Sequence, residues 1–495
     1  MMQGVYSVAT IRAAESAAIA VSGEDTLMQR AAAALASVVA REVRTRRGAL
    51  RGARVVVVAG SGNNGGDALF AGARLARRGV RVSAWRPGSG VHEAGWRAFR
   101  AAGGRELDAP GAAEALVATD LVVDGVTGIG GQAGLRAPVA DFARACAAAQ
   151  IPVVAVDLPS GVPADLPFVG LVPAGEQTDP VPVPEPARST IGDGLAAHFT
   201  ADVTVTFGGL KACHVIEPAR SACGRIELID IGLPPMEPEL ECWDPADVRA
   251  AWPRPTATSD KYSRGVVGID AGSAQYPGAG VLAATGAVRA GAGMVRYLGP
   301  PEVAQPVLAR LPNVVTGEGR VQALVLGSGW GERPDGPDVV AAAVVSGLPV
   351  VVDADALGML PYRLHPQVLL TPHAGELARL LGIAREQVAA DPVAAVRHAV
   401  ARTGGTVLLK GATQLIATPG RTSVQVAVPG PAWTAQAGSG DLLAGICGAL
   451  LAAGLSAPSA AAMGASIQAM ATRDGPLPPQ DYDLRRGLGA DPSHR

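Results

Sequence analysis

At 495 residues the chain is too long for one ordinary domain, and 48% hydrophobic residues supply more than one core. A formal net charge of -2 and a pI near 6.4 exclude the strongly basic face that a polyanion-binding protein needs. There is no basic run followed by an apolar core at the N-terminus, and the longest apolar stretch, 442–455, is too short and glycine-broken to span a bilayer; it reads as a buried core helix. The five cysteines form no CxxC pair, so a reduced, cytoplasmic chain with buried or bystander thiols is expected, acting on small molecules as a homo-oligomer without nucleic acid or membrane partners.

Residues 7–40 read as helix, with apolar residues at helical spacing around Leu27, Met28 and Leu35. Val-rich strands are predicted at 54–59, 80–85, 121–124, 153–157 and 203–207, separated by Ala-rich helices, which implies a parallel sheet covered on both faces. The Pro-, Gly- and acid-rich segment 161–194 reads as a long surface loop rather than a linker, because the strand after it still belongs to the first sheet. The boundary is placed in the Pro-rich stretch 233–255, giving domains 1–235 and 236–495. A second series of strands is predicted at 265–269, 294–298, 323–326, 350–353, 406–410 and 424–428. The tail after Arg473 is polar and Pro-rich and is expected to be mobile.

The first strand runs into AGSGNNGGDAL, Ala59 to Leu69. Glycines after a parallel strand and before a helix expose backbone N–H groups as an anion cradle, although the run is neither GxGxxG nor a Walker A motif. A tight turn capped by Asp67 would give the same pattern. Two further strand ends carry VVDGVTGIGGQAG, with Asp124, and VVAVDLPSG, with Asp157 and Ser160. Ligands of doubly wound sheets sit beyond the carboxyl ends of strands, so these loops converge on one candidate site; singly, each Asp could be a turn residue. The segment from Ser7 to Leu233 resembles the YjeF N-terminal domain, the NAD(P)H-hydrate epimerase, most specifically in GSGNNGGD and VDLPSG. The resemblance implies that Asn63, Asn64, Gly65, Gly66, Asp67, Gly128, Ile129, Gly130, Gly131, Gln132, Ala133, Gly134 and Asp157 contact the hydrated dinucleotide. It also implies a K⁺ ion at Asn64, Asp124 and Ser160, whose side chains offer oxygen. Asp157 is the candidate acid–base group, and Lys211, after the last strand, is expected close to it. Ser61 and Ala68 stand where the family usually has Asn and Gly.

In the second half, AGSGDLLAGICGALLAAG places the N–H groups of Gly438, Ser439 and Gly440 at a helix start with Asp441 in its first turn. An N–H nest beside a carboxylate suits phosphoryl transfer, the nest steadying anionic oxygens and the carboxylate taking the proton of the attacking hydroxyl; a simple capping acid is the alternative. A small-residue loop and helix begins at Gly272, and Gly327–Gly329, His373 with Glu376, and Lys410 follow at further strand ends. VVDADAL, LTPHAGE, LLKGAT and AGSGDLLAG, within Ala257 to Ala471, resemble the ADP/ATP-dependent NAD(P)H-hydrate dehydratase of the ribokinase-like superfamily. That resemblance implies hydrate contacts at Ala279, Gly329, His373 and Asp441, and nucleotide contacts at Lys410, Gly411, Ala412, Thr413, Gln414 and Gly440. GSGW and WTAQAGSGD depart from the usual GPGL and MATAGSGD.

The expected fold class is α/β, a Rossmann-like doubly wound domain followed by a ribokinase-like α/β domain. The resemblances imply repair of NADHX and NADPHX: epimerisation of the R and S forms, then dehydration of the S form at the expense of ADP or ATP with Mg²⁺, Asp441 being the base. Alternatives are a small-alcohol kinase fused to a nucleotide-binding module, which would release a stable phosphorylated product, and a non-catalytic nucleotide sensor in the first half.

Overall fold

The computed structural model describes residues 2–166, 197–361 and 363–488; the predicted loop at 161–194 lies outside them from residue 167 onward. The chain divides into two compact units, Gly4–Pro238 and Glu239–Arg495 together with Met1–Gln3. The strand that starts at Gln3, β1 (Gln3–Val5), is an edge strand.

The N-terminal unit is built on β2 (Arg54–Ala59), β3 (Arg81–Trp85), β4 (Arg105–Leu107), β5 (Leu121–Gly125), β6 (Val153–Val156), β7 (Val203–Phe207) and β8 (Arg225–Ile229). They form one parallel sheet in the order β4-β3-β2-β5-β6-β7-β8. The run of valines in β2 is explained by the two-residue period of a strand. Val55 and Val57 enter one core with Leu35, Val39 and Leu69, while Val56 and Val58 enter the other with Trp85, Phe142 and Phe199. The first helical segment is two helices, Val8–Ser22 and Glu24–Arg47, broken at Gly23, whose φ of 78° ends the first and starts the second. Strands β4 and β8 were not predicted. Both carry exposed polar residues, and β4 has only three residues, so neither shows the apolar run of a central strand.

The C-terminal unit holds β9 (Leu240–Cys242), β10 (Val266–Asp270), β11 (Met294–Tyr297), β12 (Val315–Thr316), β13 (Ala323–Leu326), β14 (Val350–Val352), β15 (Val368–Leu370), β16 (Thr406–Leu409), β17 (Leu415–Ala417) and β18 (Val424–Val426). The sheet order is β1-β9-β18-β17-β16-β15-β14-β13-β10-β11-β12, parallel from β12 to β16 and antiparallel on both sides of β17. The stretch expected to be a patternless boundary contains β9 and the helix Pro245–Ala251, and its Trp243 and Val248 enter the core. The expected mobile tail is likewise partly built in: Tyr482 is fully buried, its carbonyl accepts a hydrogen bond from Arg289 at 2.5 Å, and a short helix follows at Leu484–Leu488.

Helix Ser439–Ala452 is buried along nearly its whole length, as expected of a core helix, and crosses helix Pro277–Arg289 backbone to backbone. A Cβ on Gly445 would stand 1.9 Å from the carbonyl oxygen of Ala283, and one on Gly286 would stand 2.1 Å from that of Leu442. Only glycine allows this approach.

Candidate active sites

In the N-terminal unit the candidate residues lie beyond the carboxyl ends of β2, β5, β6 and β7. The glycine run after β2 is required by crowding, since a Cβ on Gly60 would stand 2.0 Å from the carbonyl oxygen of Val126, and one on Gly65 would stand 1.9 Å from that of Gly60. Helix Asn63–Arg77 starts with no side-chain cap on its free N–H groups. Asn64 ties the loops together through Nδ2, which donates to the carbonyls of Thr127 (3.1 Å) and Val156 (2.6 Å), while its Oδ1 faces Gly128. Asp124, fully buried, accepts from the backbone N–H of Ser160 at 2.7 Å and from its hydroxyl at 2.6 Å. Ser160 Oγ in turn accepts from the Thr127 N–H at 2.9 Å, so Asn64 and Ser160 meet at Thr127, with Asp124 joined to them through Ser160. Burial pushes the Asp124 carboxyl up to about 6 against the lowering effect of Ser160. Thr127 Oγ1 is buried there without a hydrogen-bond partner.

The second cluster centres on Asp157, one residue beyond β6, where the predicted strand has already ended and the backbone turns to φ 67°. Lys211 Nζ lies 2.5 Å from Asp157 Oδ1 and also donates to Thr206 Oγ1 (2.9 Å) and the Phe207 carbonyl (3.3 Å). Burial alone would raise the Asp157 carboxyl, but the charge and hydrogen bond of Lys211, joined by His214 and Thr206, together outweigh it and hold the group below the ordinary range. Asp67 faces the opposite situation. It is buried, its Oδ1 has no partner, and burial followed by the charges of Asp157 and Glu15 pushes it well above the carboxylate range.

Three participants were missed in the sequence. Glu15, raised by burial and by Asp157, sits on helix Val8–Ser22, whose only charged residues are Arg12 and Glu15, one turn apart. Arg12 reaches the glycine loop, its Nη2 lying 3.3 Å from where a Gly130 Cβ would be. His214 accepts from the Lys211 N–H at Nδ1 (3.0 Å), so Nε2 is left to donate to the Asp157 carbonyl (2.9 Å). With both nitrogens engaged, His214 does not serve as a metal ligand with the neighbouring buried Cys213 and Cys223. Not every expected residue joins these clusters: Asn63 is exposed and donates to Glu24 at 3.3 Å, and Gly130, Gln132 and Ala133 stand exposed on their loop.

In the C-terminal unit Gly329, at φ 64°, brings its backbone against helix Pro277–Arg289, so that a Cβ there would stand 2.5 Å from Ala279 Cβ. Trp330, the departure from the family pattern, is explained by packing. It is buried, its Nε1 donates to the carbonyl (3.0 Å) and Oδ1 (3.1 Å) of Asp270, and the Arg333 guanidinium lies 4.3 Å over its ring. His373 caps helix Ala374–Leu381, with Nδ1 accepting from the N–H groups of Gly375 (3.0 Å) and Glu376 (3.3 Å), and its side chain is 57% exposed. Lys410, just beyond β16, places Nζ 2.7 Å from Asp353 Oδ1 and 3.2 Å from where a Gly440 Cβ would be, beside the start of helix Ser439–Ala452. Gly438 opens that start in the left-handed region at φ 85°. Burial, then the charge of Asp353, pushes Asp441 up to about 6, with Lys410 opposing. Gly411 and Ala412 are exposed on the turn between β16 and β17; Gln414 is half-buried, its Oε1 lacking a hydrogen-bond partner.

Two family descriptions match the chain: YjeF-related protein N-terminus over residues 24–213, and NAD(P)H-hydrate dehydratase over residues 267–479. A bifunctional NAD(P)H-hydrate repair enzyme from Mycobacterium tuberculosis is 43% identical over 476 residues, covering 93% of this chain and 92% of that one. A namesake from Corynebacterium glutamicum is 35% identical, covering 91% and 87%. Among solved structures, an ADP/ATP-dependent NAD(P)H-hydrate dehydratase from Bacillus subtilis, co-crystallised with ATP and Mg²⁺, aligns at 25% identity over 50% of this chain and 96% of that one, with a TM-score of 0.46. On the identity and two-way coverage of these full-length relatives, the chain belongs to the family of bifunctional NAD(P)H-hydrate repair enzymes.

Proposed function

We propose that the chain restores NADH and NADPH from their hydrates, with an epimerase in 1–235 and a nucleotide-driven dehydratase in 236–495, as a cytoplasmic enzyme. The observation that carries the reading is the start of helix Ser439–Ala452, where the N–H groups of Gly438 and Gly440, without a side-chain cap, lie beside the Lys410 ammonium and the Asp441 carboxyl; the Ser439 N–H, expected to join them, donates instead to the Gln436 carbonyl at 3.2 Å. In the dehydratase, Asp441 takes the proton of the hydroxyl on C6 of the reduced nicotinamide ring as that oxygen attacks the terminal phosphorus of ADP or ATP. Phosphate then leaves C6, driven by the ring-nitrogen lone pair, and loss of a proton from C5 restores the double bond. The N–H groups and Lys410 hold the phosphoryl oxygens, while Ala279, Gly329 and His373 line the hydrate side and Lys410–Gln414 with Gly440 the nucleotide side. The S epimer is the one this arrangement serves.

Magnesium would enter on the nucleotide, held by phosphate and water. The surroundings fit a divalent cation, because Asp353, Asp355, Glu376 and Asp441 outnumber the single ammonium of Lys410. In the epimerase, Asp157 serves as the acid–base group for the hydroxyl on C6 and Lys211 keeps it ionised between turnovers. Asn63–Asp67 and Gly128–Gly134 hold the dinucleotide. Potassium fits Asn64, Asp124 and Ser160: these are oxygen donors, and Thr127 Oγ1 beside them is buried without a hydrogen-bond partner. Bound there, it would supply positive charge beside the buried Asp124 carboxyl.

The test is a mixture of NADHX epimers with ADP or ATP, followed by the absorbance of the restored dihydronicotinamide. Full recovery is expected. No recovery with either nucleotide overturns the reading, and a stable phosphorylated product would assign a small-alcohol kinase instead.

A further inference from the structure

We propose that Asp353 is the positioning residue of the dehydratase site, anchoring the Lys410 ammonium beside Gly440 at the start of helix Ser439–Ala452. The inference rests on the dehydratase reading above and adds a residue to it.

Asp353 follows three valines of β14 in the middle of the sheet, and its carboxylate collects partners from three neighbouring strand ends. Ser328, beyond β13, donates its hydroxyl to Oδ2 at 2.8 Å. Thr371, beyond β15, donates to Oδ1 at 2.7 Å, and Lys410, beyond β16, reaches the same oxygen at 2.7 Å. The group is 1% exposed. Two neutral donors therefore aim the carboxylate, and it in turn fixes the one charged donor. A lysine side chain has four rotatable bonds and a hydrated head, so without an anchor its ammonium would not remain 3.2 Å from the Cβ position of Gly440. Fixing it in advance removes an ordering cost when phosphate arrives. The same anchor sets a balance at Asp441. Asp353, Asp355 and Glu376 face that carboxyl as like charges and Lys410 as the opposing one, and holding the ammonium on Asp353 keeps part of its charge from Asp441.

Asp353→Asn keeps the shape of the anchor and removes its charge. In the full chain, the KM for ADP or ATP is expected to rise about tenfold or more, the change that accompanies loss of one charge-assisted hydrogen bond. The acid limb of kcat should move to lower pH, because Asp441 loses a negative neighbour and gains the released ammonium. A purely structural Asp353 would lower the unfolding temperature and leave both the nucleotide KM and the acid limb in place, which would overturn the proposal. If Asp353→Asn does not fold, Thr371→Val is used, which keeps the charge and removes one aiming hydrogen bond: a several-fold rise in nucleotide KM with kcat retained supports the anchor, and an unchanged KM sinks it. A wild-type chain without nucleotide-dependent turnover would defeat the dehydratase reading itself, a different result from an active wild type whose variants are indifferent.

Discussion

Lys211 and Asp157 form a buried ion pair, with Nζ 2.5 Å from Oδ1 and both side chains at most 9% exposed. Removing one partner leaves a charge stranded in low dielectric, so Lys211→Met is expected to cost about 3–5 kcal/mol in urea unfolding. The double variant Lys211→Met, Asp157→Asn should recover part of that loss, since no lone charge remains. Epimer exchange should be lost in both. Recovery of exchange in the double variant would remove the pair from the chemistry. Because the folded Asp157 carboxyl is held low, the pair's contribution is present above the unfolded value of about 4 and fades as pH falls through the folded one.

Asp67 behaves in the reverse sense. Its folded carboxyl is raised, by burial first, so the folded state binds a proton that the unfolded chain releases, and stability falls as pH rises above about 4. Asp67→Asn should flatten that slope, raising the unfolding temperature at pH 8 more than at pH 4. Equal changes at both values would contradict the raised carboxyl.

Replacing K⁺ by tetramethylammonium at constant ionic strength should slow epimer exchange and leave dehydration unchanged. An ion that binds only the folded form also stabilises it, so K⁺ should raise the unfolding temperature of the N-terminal unit. Asp124→Ala should abolish both effects; persistence of either would locate the ion elsewhere.

Asp441→Asn preserves size and still caps a helix, so folding and nucleotide binding should survive while turnover of the hydrate drops by about a hundredfold or more. In the wild type the base must be ionised, and since Asp441 is pushed up to about 6, turnover should fall as pH drops through that value rather than through about 4. Turnover of the variant within about threefold of wild type would mean a capping acid only, since that is about 0.6 kcal/mol of barrier.

Separate expression of 4–238 and 239–495 should yield an epimerase and a dehydratase that work when mixed. Failure of both fragments to fold or act would reject independent units.

The central strands were legible because burial on both faces leaves unbroken valine runs, as in β2 and β14. Short strands towards the sheet margins, such as β4 and β9, were not, having three residues each and mixed exposure. The same limit applies to the sites. Residues in strand-end glycine loops announced themselves, whereas Glu15 lies on an Ala-rich helix far away in sequence, and its relation to Asp157 exists only after folding. Asp353 stood in a quoted motif, but its grip on Lys410 spans 57 positions and has no local signature.

Where helices Pro277–Arg289 and Ser439–Ala452 cross, Gly286 and Gly445 let two backbones touch, and a Cβ on Gly438 would already stand 2.4 Å from Leu282 Cδ1, one turn beyond Ala279. The spacing between Ala279 and Asp441, the proposed seat of the hydrate and its proposed base, is thus set by main chain, which no side-chain substitution can lengthen by small steps. The exposed residues 274–276 can vary in descendants of this chain, but the gauge between Ala279 and Asp441 is inherited whole.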